Sequence, residues 1–299
     1  MSLLDSLVAA ALPLTPRFVV GRVARRYIAG DTLDDAARVI RDLNDRGAAC
    51  TVDVLGEFIS DLAAAERTAA EYGRLLDRIA AERLRSGVSI KLTAFGLGLD
   101  PGRCLELVRG LVGRAADHGI FVRVDMEDSQ VTDATLEVVR TLFREGRPVG
   151  AVLQAYLRRT VADATALAAE GIPVRLCKGI YREPPAIAYQ DRDDVRDGYR
   201  RALRVLLEGR GTVAVATHDE NLVAAARELT AELGTPRERY EYQMLLGVRE
   251  WMRDELISSG ERVRIYVPYG ADWYGYSTRR LKENPEIAGH VFKAMLGIR

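Results

Sequence analysis

The feature that most constrains this chain is an alternation that repeats eight times. From about residue 45 onward, short apolar runs rich in β-branched and aromatic residues give way to longer segments with helical spacing. The runs are AACTVDV (48–54), SIKLT (89–93), IFVRVDME (120–127), GAVLQAY (150–156), IPVRLCKG (172–179), TVAVAT (212–217), RYEYQML (239–245) and RVRIYVP (262–268). Each reads as mostly apolar on both sides, as a strand covered on both faces should be. Several intervening segments stop at a glycine before the next run: Gly119, Gly171, Gly211 and Gly260. Glycine is expected there as the left-handed residue that ends a helix. Eight β/α units over about 250 residues match a (β/α)8 TIM-type barrel in count and length. An open doubly wound sheet is the alternative. It is disfavoured because no GxGxxG follows any run, and GLGLDPG (96–102) has the wrong spacing.

Residues 1–45 hold helical segments such as DTLDDAARVIRDLNDRG and no clear strand. The expected division is an N-terminal helical segment (1–45) packed on the outside of a catalytic barrel (46–299). The opening stretch MSLLDSLVAAALPLTPRF is too short in its apolar part for a signal peptide. Asp5 interrupts it and no basic region precedes it. An amphipathic helix is expected instead. No run of about 18 apolar residues suggests a membrane span. The expected location is the cytoplasm, with peripheral attachment to the inner face of the membrane left open.

Basic and acidic residues number 43 each, so no global charge draws the chain to nucleic acid. Cys50, Cys104 and Cys177 are odd in number and widely spaced, which fits a reducing compartment without a disulfide framework. The three histidines are scattered, and no HExxH or paired-cysteine spacing points to a metal. Oligomeric state is not legible.

In a barrel of this kind chemistry sits where strands end. The polar residues at those ends are Lys91 and Thr93, Asp125 and Glu127, Gln154 and Tyr156, Arg175, Lys178 and Tyr181. Thr217, His218 and Asp219 follow the sixth run, Gln243 lies in the seventh, and Tyr266 and Tyr269 end the eighth. Cations recur and carboxylates are few, so an anionic ligand is the direct expectation. Bland roles stand beside each of these. Lys91 could pair with Asp125 for structure, Asp125 could cap a loop, and His218 could bond backbone. Arg175 sits in an otherwise apolar run, where an unpaired charge would cost several kcal/mol, so it is functional or ion-paired. Arg279 and Arg280 are adjacent in a helical segment, and Glu283 follows one turn later. That carboxylate could be no more than a surface partner of Arg279.

Taken together, SIKLT, VDME, QAYLRRT, VRLCKGIY, ATHDEN, YEYQMLLG and YVPYG with WYGYSTRRLKENP resemble proline dehydrogenase. The motifs stand in the same order on successive strand ends over residues 45–299. The resemblance implies a distorted (β/α)8 barrel that binds FAD and oxidises L-proline to Δ1-pyrroline-5-carboxylate. It further implies electron transfer to a membrane quinone and the monofunctional form of the enzyme. Carried over by position, Arg279, Arg280 and Lys91 match the group that holds the substrate carboxylate. Tyr181, Tyr266 and Leu245 match residues lining the proline ring. Asp125 and Arg175 match the catalytic pair, with Arg175 near the flavin. Met126, Gln154, Lys178, Gly179, Ile180, Thr217 and His218 match flavin contacts. Glu283 matches an acidic residue that orders the arginine pair. Cys177 departs from a common valine and Arg182 from a tryptophan frequent in bifunctional members. An enzyme acting on a phosphorylated small molecule, and a non-catalytic scaffold, remain as alternatives from the residues alone.

Overall fold

A computed structural model describes residues 25–56 and 59–274. Eight parallel strands close into a barrel in sequence order. They are β1 (Ala49–Val54), β2 (Ser86–Ile90), β3 (Val122–Val124), β4 (Val149–Gln154), β5 (Val174–Cys177), β6 (Val213–Ala216), β7 (Tyr240–Leu245) and β8 (Val263–Tyr269). Helix α1 (Leu33–Asp45) precedes β1. Seven helices then connect successive strands: α2 (Leu62–Ala81), α3 (Pro101–Asp117), α4 (Thr132–Arg144), α5 (Thr160–Glu170), α6 (Arg192–Glu208), α7 (Glu220–Glu232) and α8 (Glu250–Ser258). The closed ring, with β1 registered on β8 from Ala49↔Arg264 to Val54↔Tyr269, rules out the open sheet.

Helix starts follow local chemistry. Asp61, Asp100, Asp191 and Asp219 accept backbone N–H groups at the heads of α2, α3, α6 and α7. Thr32 and Asp35 form a reciprocal capping box on α1, and such caps contribute about 1 kcal/mol each. Helix α1 buries Ala36, Ala37, Ile40 and Leu43. It packs on both β1 and β8, so it covers the seam where the ring closes.

The strands depart from the expected two-sided apolar character. One face of each strand is apolar and joins the main hydrophobic cluster under the helices: Val52, Val88, Val122, Val124, Ala151, Val174, Leu176, Val215, Ile265 and Val267. The residues between them face the barrel interior and are largely polar, apart from Gly150 and Val152 of β4 and Ala214 of β6. Thr51, Asp53, Ser89, Arg123, Arg175 and Gln243 are all buried, and Arg264 and Tyr266 are partly so. The cause is a repeated alternation, VRV in β3, VRLC in β5 and VRIY in β8, that puts valine outward and arginine inward. Burying one such aliphatic side chain contributes about 1.5–3 kcal/mol. The outer layer therefore carries the hydrophobic stabilisation and leaves the interior free for polar groups.

Three local expectations are also corrected. The second strand runs over 86–90, earlier than SIKLT (89–93), because the chain turns into a 3-10 helix at Leu92–Phe95. Glu127 anchors that turn by accepting from the Thr93 N–H at 3.1 Å and from its hydroxyl. The third strand is confined to Val122–Val124 and ends before Asp125. Gly119, Gly171 and Gly260 are left-handed as expected, but Gly211 is not. Helix α6 ends two residues earlier, and Gly211 is required because a Cβ there would lie 2.5 Å from the Ile172 carbonyl oxygen.

Candidate active site

The carboxyl ends of the strands converge on a hydrogen-bonded network. Lys91, just past β2, donates from Nζ to both oxygens of Asp53 at 2.8 and 2.7 Å. Its ammonium lies 3.3 Å from the Tyr266 hydroxyl and 4.0 Å from Asp125. Tyr266 in turn donates to Asp125 Oδ2 at 2.8 Å. Asp125 Oδ1 accepts from Arg175 Nη1 at 2.7 Å. Arg175 also donates to Ser89 Oγ at 3.1 Å and, through Nε, to Gln243. Its guanidinium carbon sits 5.4 Å from the centre of the Tyr266 ring. Residues on or just past β1, β2, β3, β5, β7 and β8 thus fix one another.

The chemistry differs from the expected surplus of cations. Within this cluster Lys91 and Arg175 face two carboxylates, Asp53 and Asp125. Breaking such a buried pair by removing one partner costs about 3–5 kcal/mol. Burial raises the Asp53 carboxyl pKa above its ordinary value; Lys91 opposes the rise and neighbouring Asp125 adds to it. Tyr72 from α2 reaches in from behind, donating to the Ser89 carbonyl at 2.6 Å and approaching Asp53 at 3.3 Å. Burial, then the Asp53 charge, raises the phenol well above its ordinary value, so Tyr72 stays a proton donor.

Asp53 does not stand among the strand-end residues that the sequence singles out, because those begin with the second strand. Its signal was nonetheless present. TVDV places one carboxylate in an apolar run, the same oddity that singles out Arg175. The suggested pairing of Lys91 with Asp125 is present at 4.0 Å, and Asp53 is the closer partner.

A second polar group lies at the ends of β5 and β6. Lys178 Nζ and Arg196 Nε both donate to Asp219 Oδ2, at 3.3 and 3.0 Å. Burial opposes ionisation of Asp219, but Arg196 and Lys178 outweigh it and the carboxyl pKa falls below its ordinary value. Arg196 also donates to Asp193 at 2.9 Å, so two cations meet two carboxylates here. Thr217 Oγ accepts from the Asp219 N–H at 3.1 Å. His218 Nε2 accepts from the Leu245 N–H at 3.0 Å, which assigns the neutral ring its proton at Nδ1. The bland reading of His218, bonded to backbone, describes this contact.

The other expected positions are distributed around this mouth. Gln154 ends β4 and donates to the Glu127 carbonyl at 2.9 Å. Gly179 has φ +108°, and a Cβ there would lie 2.1 Å from the Tyr156 ring. Ile180 and Tyr181 follow in the loop after β5, both part-exposed. Met126 is buried in the main apolar cluster, so its side chain packs with the outer layer. Arg279, Arg280 and Glu283 lie outside the described residues. Among the described residues no cluster of three or more His, Cys, Asp or Glu could hold a metal ion, and no helix is long and apolar enough to cross a membrane.

Comparison with known proteins follows the same line. The family model described as proline dehydrogenase matches residues 36–293. Proline dehydrogenase 1 of Bacillus subtilis is 36% identical over 273 residues, covering 91% of this chain and 90% of that protein. Proline dehydrogenase of Deinococcus radiodurans is 37% identical over 279 residues, covering 92% and 90%. Proline utilization A from Bdellovibrio bacteriovorus, solved after inactivation by N-propargylglycine, superposes with a TM-score of 0.82 at 28% identity. The match covers 88% of this chain but only 32% of that larger one. A closed eight-stranded barrel with its polar network at the strand ends, and sequence relatives matched over nine-tenths of their length, place this chain in the proline dehydrogenase family of oxidoreductases.

Proposed function

We propose that this chain oxidises L-proline to Δ1-pyrroline-5-carboxylate with FAD bound at the strand ends, passing the electrons to a membrane quinone. The observation that carries the reading is the interlocked cluster of Lys91, Asp53, Tyr266, Asp125 and Arg175 at the barrel mouth, in a chain of this family. The residues suit an anionic cofactor. Lys178 and Arg196 meet at Asp219, so the ends of β5 and β6 present an ammonium and a guanidinium, the donor types that a pyrophosphate takes. Gly179 and Ile180 after β5, Thr217 and His218 after β6, Gln154 at the end of β4 and the chain at Met126 after β3 would complete that site. When bound, the flavin supplies a two-electron acceptor at N5 for the hydride leaving proline C5.

The chain's own residues have positional and electrostatic work. Lys91, with Arg279 and Arg280, would receive the substrate carboxylate, and Glu283 would brace the arginines. Asp53 grips the ammonium with both oxygens, so the location of that charge is fixed before substrate arrives. Because Asp53 offsets Lys91, the arginine pair would supply most of the net attraction. Tyr266 is held through its hydroxyl by Asp125, which sets the orientation of its ring as a wall for the pyrrolidine. Tyr181 and Leu245 would line the same ring. Arg175, bonded on three sides, provides an oriented positive charge that needs no reorganisation as electron density arrives. The amine proton of proline leaves before or during C5–H cleavage, which turns the secondary amine into an imine.

One visible spectrum tests the reading. The purified protein should absorb near 450 nm, in the range of an oxidised flavin, and bleach on anaerobic addition of L-proline. A colourless protein would favour chemistry on a phosphorylated small molecule. A coloured one that proline does not bleach would remove the substrate assignment.

A further inference from the structure

The interior holds a second chamber at the opposite, amino-terminal end of the strands. It has a volume of about 220 Å³ and is walled by inward residues of β1, β3, β5, β7 and β8. Arg123 is its centre. The side chain is only 6% exposed. Its Nη1 is used by the carbonyls of Ala151 and Pro173 at 2.9 and 2.8 Å. Its guanidinium carbon stacks 4.8 Å from the centre of the Phe121 ring. The chain makes room for it at Gly150, where a Cβ would lie 2.6 Å from Arg123 Nη1.

Arg123 forms no ion pair with a carboxylate among the described residues, unlike the buried Arg175. The one acidic residue on the wall, Glu241, is already engaged by Arg264 at 2.7 and 3.1 Å. Arg262 stands at the rim, 4.0 Å from Glu241 and half-exposed. Arg175 forms the ceiling and belongs to Asp125. Arg264 and Arg262 therefore share one carboxylate, and Arg123 has none of its own among the described residues. Burial, then the nearby Arg175 charge, lowers the Arg123 pKa to about 9, which leaves it protonated at neutral pH. A buried cation without a counter-ion costs several kcal/mol unless something supplies the missing charge.

We propose that this chamber binds one small oxyanion, a carboxylate or inorganic phosphate. Arg123 would grip it through Nε and Nη2, the nitrogens its backbone carbonyls do not take, and Arg262 would attract it at the rim. A planar fork with two parallel N–H groups fits either oxyanion.

Thermal unfolding tests this without reference to activity. Sodium phosphate and sodium acetate are titrated separately against sodium chloride at constant ionic strength and pH. Wild type should show a saturable rise in Tm with at least one of the two, as binding to the folded state alone requires. The anion with the lower midpoint identifies the source. Arg123→Met should abolish the saturable part. If Arg123→Met does not fold, Arg262→Gln decides. Its exposed position tolerates change, and its midpoint should move up by about threefold or more. No rise in wild type overturns the proposal. So does a linear rise shared equally by Arg123→Met, which is general salt exclusion, or an unmoved midpoint in Arg262→Gln.

Discussion

The two ends of the barrel interior use the same residue types to opposite effect. At the carboxyl end Lys91 and Arg175 meet Asp53 and Asp125, one acid for each base. At the amino end Arg262 and Arg264 meet Glu241, and Arg123 pairs with no carboxylate among the described residues. The carboxyls report the contrast. Asp53 is pushed up by burial, with Asp125 adding to the rise, whereas burial of Glu241 is outweighed by Arg264, Gln243 and Arg123, and its pKa is lowered. A balanced cluster can accept a zwitterion and let added cations such as Arg279 and Arg280 decide its charge. An unbalanced one asks for an anion. Arg175 is the shared wall, lining the lower chamber while holding Asp125 above.

The contrast can be broken from the top first. Asp53→Ala should cost about 3–5 kcal/mol in urea unfolding, because it strips a buried ammonium of its partner. A loss below about 1 kcal/mol, the range of an exposed pair, would show that Lys91 is not held as described. Arg175→Met should lower kcat/KM for proline by about 10²–10³, the effect of removing one preorganised charge. Equal loss in a variant confined to the lower rim, such as Arg262→Gln, would abolish the division between the two ends. Arg279→Met and Arg280→Met should each raise the KM for proline by about 10², with flavin absorbance retained. Near-normal KM in both would remove the carboxylate clamp.

The smallest effect is the pH dependence of Glu241→Gln. A carboxyl with lowered folded pKa contributes stability above its unfolded value, about 4.3, and loses that contribution as pH falls through the folded value. The variant should therefore be less stable than wild type by about 1–2 kcal/mol at pH 7, with the gap closing below about pH 4. For Asp53, raised in the fold, the sign is reversed: its contribution is present at low pH and lost as pH rises. A gap at Glu241 that widened on acidification would show that Arg264 does not hold it charged.

The barrel was legible because crossover helices and strands alternate with unmistakable spacing. So were Lys91, Asp125, Arg175 and Tyr266, which the fold brings into one network. Pairing was not legible. Which acid meets which base most closely depends on strand stagger and on the inward or outward sense of each position, so the sequence shows Asp125 near Lys91 but not the closer Asp53. The lower chamber was hidden for a related reason. VRV and VRIY read as apolar runs with a stray charge until the ring closes and shows that every second residue points inward. The arginine pair and Glu283 were legible as a motif, and their geometry belongs to the tests above.

Helix α1 has a consequence in time. Its apolar face is covered partly by β1, available at once, and partly by β8, some two hundred residues downstream. At roughly 5–20 residues per second, the ribosome delivers that second partner roughly 10–45 s after the helix has emerged. Until then Ile40 and Leu43 have only part of their final floor. The earliest helix among the described residues is thus among the last to finish docking, and a chain stalled before β8 should be a ready client for chaperones.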